Sequence, residues 1–189
     1  MKARLLRSVP AILIVPVFLL LAQSQREKER LAEVLELKSA MNVAEIGGGD
    51  GEMSFFVAGK VSRIYINEIN SDKLRKLRDR ATNVANVTVV EGDATETRLP
   101  EGCCDAVFMR DVYHHLTDAA AINASIARAL KPGGVLVVID FLPGNEGHGI
   151  TPERLVESVT RAGFEPIRTI DDWQFRTYCV VFRKTKDCD

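Results

Sequence analysis

Residues 43–51, VAEIGGGDG, constrain this chain more than any other stretch. A short apolar run of Val43, Ala44 and Ile46, carrying one carboxylate at Glu45, leads into Gly47, Gly48, Gly49, Asp50 and Gly51 and then into the mostly apolar residues 53–58. The order reads as strand, glycine turn, helix. Glycine lets the backbone take positive φ and lets a ligand approach main-chain N–H groups, with a helix N-terminus just behind. The same triplet would also serve a tight βα turn that holds nothing, so the residues around it have to decide.

Spacing narrows the ligand. A dinucleotide turn of the G-x-G-x-x-G type needs a small residue at position 52, where the helix packs on the strand and a pyrophosphate meets the dipole. That position is Glu52, and the glycines fall instead at 47, 49 and 51. A carboxylate there repels a pyrophosphate and leaves a cation undisturbed. The pattern E-x-G-x-G-x-G, with Glu45 first and Gly51 last, resembles the first motif of the class I S-adenosylmethionine-dependent methyltransferases, whose cofactor carries a sulfonium and no phosphate.

The bulk of the chain allows one domain. Its 189 residues, 46% hydrophobic and 27% charged, suffice for one well-buried core and are few for two. A net charge of −1 with no basic cluster beyond the first residues gives no footprint for nucleic acid. Lys2, Arg4 and Arg7 precede residues 9–22, which carry no charged or polar side chain, and Gln23, Ser24 and Gln25 follow. This is the layout of a signal peptide, with cleavage expected near Ala22 or Ser24. The alternatives are an uncleaved membrane anchor that reaches back to Leu5 and Leu6, or a merely hydrophobic tail. Fourteen residues at a helical rise span roughly 21 Å, short of a bilayer core, and Pro10 and Pro16 interrupt them. The expected division is therefore a leader or anchor over 1–24 and a folded domain over 25–189, exported or membrane-associated, with the cytoplasmic face open to it if the leader is retained. Cys103, Cys104, Cys179 and Cys188 form no C-x-x-C or Cys/His metal spacing, and free thiols are expected.

Leu31, Val34, Leu35 and Lys38 recur at helical spacing, which predicts an amphipathic helix over 26–38. Ile64, Tyr65 and Ile66 make a second strand ending at Asn67 and Glu68. Glu68 lies 21 positions after Gly47, where an acid at a strand tip can accept both hydroxyls of a ribose; a solvated loop acid is the plainer alternative. Ser71 is expected to cap a helix striped by Leu74, Leu77 and Ala81. A third strand over 87–90 runs into Glu91-Gly92-Asp93-Ala94, and a fourth over 104–109 into Arg110, Asp111, Val112, Tyr113, His114, His115 and Leu116. Ligands of open α/β sheets sit outside these strand ends. The two histidines and the acid are thus expected near the site. A metal pair is rejected because neighbouring side chains should face apart with no third ligand evident. One histidine could act as general base, or both could be held structurally in the turn. Thr117 is expected to cap a helix with Ile122, Ile126 and Leu130, stopped by Pro132-Gly133-Gly134 before a fifth strand over 135–139. Thr151-Pro152 opens a last helix with Leu155, Val156, Val159 and Ala162, and strands over 165–170 and 177–182 follow.

The methyltransferase resemblance extends across these segments, through the G-D-A at Gly92, the L-K-P-G-G-V-L from position 130 and the terminal hairpin. It implies an α/β, Rossmann-like three-layer sandwich whose seven-stranded, mostly parallel sheet has an antiparallel last strand. It implies S-adenosylmethionine as cofactor, held by Glu45, Gly47, Gly49, Gly51, Glu68, Ile69, Asp93, Ala94 and Arg110, with Asp93 taking the adenine amino group and Ala94 beside it. Tyr113, His114 and His115 become the catalytic candidates. The glycine-rich residues 140–150, from Asp140 through His148 to Ile150, become the acceptor loop for an unidentified, small-molecule or lipid acceptor. Glu45 stands where aspartate is commoner and Asp50 where a small or hydroxyl residue is usual. Two other classes stay open: a non-catalytic, membrane-tethered S-adenosylmethionine sensor, and a nicotinamide-dependent oxidoreductase, which Glu52 and the hairpin weaken.

Overall fold

The computed structural model describes residues 14–144 and 148–185, with side chains from Ala22 onward. The leader expected over 1–24 therefore lies partly outside the described residues. Helix α1 (Ile14–Val34) is followed by β1 (Asn42–Ile46), α2 (Glu52–Ala58), β2 (Arg63–Glu68), α3 (Ser71–Ala81) and β3 (Val87–Glu91). Then come β4 (Cys104–Arg110), a 3-10 turn (Tyr113–His115), α4 (Ala119–Ala129), β5 (Leu130–Phe141), α5 (Pro152–Thr160), β6 (Phe164–Gln174) and β7 (Thr177–Lys184).

The strands form one sheet in the order β3-β2-β1-β4-β5-β7-β6. Neighbours from β3 to β5 pair in parallel, and β7 runs antiparallel to both β5 and β6. The expected fold is the observed one. Central strands are apolar without interruption because both their faces are covered, and the twofold alternation of side chains sorts them between two cores. Ala44, Ile46, Val107, Met109, Leu136 and Val138 turn toward α4 and α5, where Ile122, Ile126, Leu155 and Val159 meet them. Val43, Ala106, Phe108, Val137 and Ile139 turn the other way, toward Leu31 of α1, Leu35 just past its end, and Met53 and Val57 of α2. Strand β6 is an outer edge, mostly exposed, with Pro166 and two register shifts against β7 that break a continuous ladder.

Several local expectations change. The helix expected over 26–38 reaches back to Ile14, the first described residue, and crosses the 24/25 boundary without a break. Pro16 does not interrupt it and lies within the helix. The helix ends before Lys38, because Glu36 takes φ 49° and the N–H groups of Glu36 and Leu37 close back on the Glu33 and Ala32 carbonyls. The cap of α3 is Asn70 rather than Ser71, its side chain accepting from the Asp72 and Lys73 amides. The cap of α4 is Asp118 rather than Thr117. Residues 130–134 do not separate α4 from a later strand but belong to β5, Leu130 pairing with Cys104. The Cys103 and Cys104 sulfurs lie 3.0 Å apart and, like Cys179, are free thiols; Cys188 lies outside the described residues. No helix among the described residues is long and apolar enough to cross a membrane.

Candidate active site

The chain reverses direction across the sheet between β1 and β4, and the loops leaving their C-terminal ends flank one cleft. Gly47, Gly49 and Gly51 all take φ between 56° and 78°. At Gly47 this is a matter of room as well, since a Cβ would lie 2.4 Å from a Val112 methyl. Gly49 is different: a Cβ there would meet nothing closer than the Gly47 carbonyl at 3.9 Å, so it would project into open space over the turn. That open space is the backbone approach a ligand needs.

Glu68 is tied to this turn. One of its oxygens accepts from the Gly49 amide at 2.9 Å, and the other from the Ile69 and Asn70 amides at 2.8 and 2.9 Å. Three backbone donors hold a buried carboxylate at the tip of β2 and leave one of its four acceptor sites free, enough for one hydroxyl of a ribose. Beside it, Ile46, Gly47, Asn67, Ile69, Asp93, Ala94, Val112, His115, Leu116 and Ile122 line a mostly apolar slot of about 90 Å³. Asp93 stands at its rim with less freedom than its expected role assumes. One oxygen accepts from the Thr95 amide and hydroxyl and the Glu96 amide, and the other pairs with Arg98 at 2.9 Å. These bonds, the Thr95 amide first, hold its carboxyl below the usual range.

On the other side of Gly47 and Val112 the slot meets a wider cavity of about 300 Å³, lined by Glu45, Gly48, Gly49, Asp50, Glu52, Arg110 and Asp111 among others. Glu45 is 5% exposed and takes a hydrogen bond from Ser54. Burial pushes its carboxyl up to about 8, against the opposing pull of Ser54 and Arg110. Asp111 is in the left-handed region at φ 58°, its amide fixed to the Ile139 carbonyl at 2.9 Å, and burial raises its carboxyl too. Glu52 lines the cavity while the Ser24 hydroxyl and Lys28, the latter at 2.9 Å, hold its carboxyl below the usual range.

A third cavity, of about 410 Å³, adjoins the second through Arg110 and Asp111. Its walls are α1 and the β6–β7 hairpin, contributing Arg26, Glu27, Arg30, Trp173 and Phe175. Glu27, 5% exposed, accepts from Arg110 Nε at 2.9 Å and from Trp173 Nε1 at 3.0 Å. The Arg30 guanidinium lies over the Trp173 ring at 4.7 Å. The resemblance implies that the helix over 26–38 closes one edge of the cofactor pocket, with a plain surface helix as the alternative; sequence reasoning missed the part that Glu27, Trp173 and the hairpin take in this wall. Its one local signal was that Glu27 falls on the i, i+4, i+8 line of Leu31 and Leu35, an acid on a buried stripe.

The three catalytic candidates lie elsewhere. Tyr113 is 2% exposed, its hydroxyl donating to Ser158 at 2.7 Å and accepting from Asn123 at 2.8 Å, which makes it part of the core beneath α4 and α5. His114 Nδ1 is bonded to the buried Asp140 at 2.6 Å, and Asp140 also accepts from the His114 and Phe141 amides. Asp140 is thus the end of β5 rather than an open acceptor loop. His114 borders a separate cavity of about 430 Å³ under residues 149–151. His115 faces the narrow slot, and burial followed by His114 and His148 lowers its ring below the ordinary histidine range. The adjacent histidines do not face apart: their ring centroids are 3.8 Å from each other. His148 stacks edge-on to both at 6.1 Å. No group of three His, Cys, Asp or Glu side chains among the described residues is disposed to hold a metal ion.

Comparison with known proteins places this cleft. Residues 44–138 match the family model described as a methyltransferase domain. A ubiquinone/menaquinone biosynthesis C-methyltransferase UbiE from Francisella tularensis subspecies novicida is 29% identical over 106 residues, covering 53% of this chain and 42% of the relative. The chain therefore spans less than half the length of that curated relative. Among solved structures, a SAM-dependent methyltransferase from Aquifex aeolicus superposes with a TM-score of 0.74 at 20% identity, covering 84% of this chain and 89% of the other. The [4+2]-cyclase SpnF superposes at 0.73 and 20% identity, covering 85% and 80%, so the likeness to solved structures carries the fold alone. The matched residues run from β1 through β5 and contain the glycine turn, Glu68, Asp93 and Arg110; the chain belongs to the methyltransferase domain family, with S-adenosylmethionine as the cofactor that this membership implies.

Proposed function

We propose that this chain transfers the methyl group of S-adenosylmethionine to a small-molecule or lipid acceptor seated in the cavity between α1 and the β6–β7 hairpin. The observation that carries the reading is continuity: the glycine-turn cavity and the hairpin cavity share Arg110 and Asp111, whereas the His114 cavity shares neither. The residues present suit the cofactor. Gly49 offers open backbone, Glu68 keeps an acceptor site for a ribose hydroxyl, the slot beside Ile69 and Ala94 offers apolar walls, and Glu52, its carboxyl held below the usual range, supplies negative charge to the wider cavity. When bound, the cofactor supplies an electrophilic methyl on a positively charged sulfur, open to in-line displacement by an O, N, S or C nucleophile. The chain's part is alignment, where effective molarity can lower a barrier by about 7–11 kcal/mol. Asp111, on the shared wall and with its carboxyl raised by burial, can take a proton from a protic acceptor.

The N-terminal apolar run directs the protein to a membrane in this reading. The unbroken course of α1 through positions 22–25, together with the Ser24–Glu52 hydrogen bond, supports a retained anchor over a cleaved leader.

Calorimetric titration with S-adenosylhomocysteine tests the cofactor site. Gly49→Val puts a β-branched residue at φ 56° and fills the open space, so affinity should fall more than about 100-fold while the thermal transition remains cooperative. Unchanged affinity would remove the glycine turn from the site. Methyl transfer from a labelled donor into a lipid and metabolite extract then separates an enzyme from a sensor, since the sensor binds without turnover.

A further inference from the structure

Five large hydrophobic side chains stand exposed among the described residues, and three of them, Phe141, Leu142 and Phe175, belong to one patch. Phe141 pairs with Thr177 at the end of the β5–β7 ladder, and the Leu142 amide donates to the Arg176 carbonyl at 2.8 Å. Arg176 in turn donates to the Pro143 carbonyl at 3.1 Å, so the end of β5 and the hairpin tip form one continuous rim. Phe175 at the tip is 89% exposed, and both phenylalanines border the mouth of the hairpin cavity together with Gln23 and Arg26.

Two features of this rim point to one occupant. The carboxylates around the cavity are engaged by arginines, Glu27 and Asp111 by Arg110 and Asp172 by Arg30. Arg26 and Arg176 have no carboxylate partner among the described residues, so the rim is aromatic with uncompensated positive charge. The second feature is α1. Glu27 stands level with the C-terminal end of β4, and from there the helix runs back through Gln23 at the cavity mouth. It continues for a further nine residues, 14–22, about 13 Å of helix with the sequence IVPVFLLLA, and Lys2, Arg4 and Arg7 precede them in the chain. Apolar residues flanked by basic ones, both along this stretch of the sequence and on the rim, suit the headgroup boundary of a bilayer.

We propose that Phe141, Leu142 and Phe175 enter the surface of a phospholipid bilayer, with Arg26 and Arg176 against its phosphates, so that the hairpin cavity opens toward lipid. The rim then delivers a membrane-borne acceptor to the wall shared with the glycine-turn cavity. That purpose rests on the methyl-transfer reading, while the docking itself does not.

The test uses the full chain. Its one tryptophan, Trp173, is 2% exposed and gives the baseline emission. In Phe175→Trp a second indole replaces an exposed ring, and vesicles of phosphatidylcholine and phosphatidylglycerol should shift its emission to the blue. Vesicles with brominated acyl chains should quench it, and replacing the phosphatidylglycerol should weaken both effects. Phe141→Trp should behave likewise. Co-sedimentation with vesicles and no spectral change would mean that the N-terminal run alone tethers the protein, and would overturn the proposal. So would a blue shift without lipid that rises with protein concentration, which would assign the patch to a second copy. Titration of the same variants with S-adenosylhomocysteine reports separately on the cofactor site.

Discussion

Replacing Glu45 with glutamine should abolish a loss of stability that the native chain undergoes as pH rises from 5 to 8. Glu45 is buried against the floor of the glycine turn, and its carboxyl is pushed up to about 8 from an ordinary value of 4.5. Between those values the folded chain holds a proton that the unfolded chain has released. Folding then takes up a proton, and stability falls with rising pH by about 1.4 kcal/mol per unit, levelling off above 8. Below 4.5 both states are protonated and the effect vanishes. Glutamine keeps an oxygen for the Ser54 hydroxyl and has no proton to exchange. The stability of Glu45→Gln minus that of the native chain should therefore widen by about 2–3 kcal/mol between roughly pH 5.5 and pH 7.5, all other titrations cancelling in the difference. Urea unfolding at fixed ionic strength, followed by far-UV circular dichroism, measures it. Parallel stability curves for the two proteins would refute the reasoning, and a gap that narrows with pH would mean that Arg110 outweighs burial.

Two further outcomes follow from the same geometry. Glu27→Ala strands the Trp173 indole N–H and leaves Arg110 with Asp111 alone, and should cost about 2–4 kcal/mol, seen as a fall in Tm of roughly 5–10 °C; Glu27→Gln, which keeps an acceptor for Trp173, should cost less. His115→Ala, which opens the narrow slot beside Ile69 and Ala94, should weaken S-adenosylhomocysteine binding about tenfold in calorimetry, and an unchanged affinity would remove His115 from the slot.

The sheet was legible in the sequence because its physics is local. Strands covered on both faces must be apolar throughout, and the glycine turn must carry residues that tolerate positive φ, so residues 43–51 and the later strands announce themselves. Helix ends were less legible where two capping residue types are adjacent. Asn70 and Ser71, or Thr117 and Asp118, are equally able caps, and only the path of the incoming chain chooses between them. The length of α1 was masked by Pro16, which reads as an interruption yet lies within the helix. The acceptor-side wall was hidden for a different reason. Glu27 looks like one more charge on a solvated helix until Arg110 and Trp173, 83 and 146 residues further along, close over it. The histidine pair was visible as a motif, yet its direction is set by Asp140, twenty-six positions on.

The Glu27–Trp173 hydrogen bond also bears on how this protein is made. A ribosome delivers α1 first, and the strand that completes its seat almost last, so a nascent chain carries this helix with an unmatched acid on its seam for nearly the whole of translation. During that interval the cheapest refuge for the helix is a lipid surface or a chaperone. If the N-terminal run anchors the protein as proposed, insertion at the membrane would precede closure of the cleft.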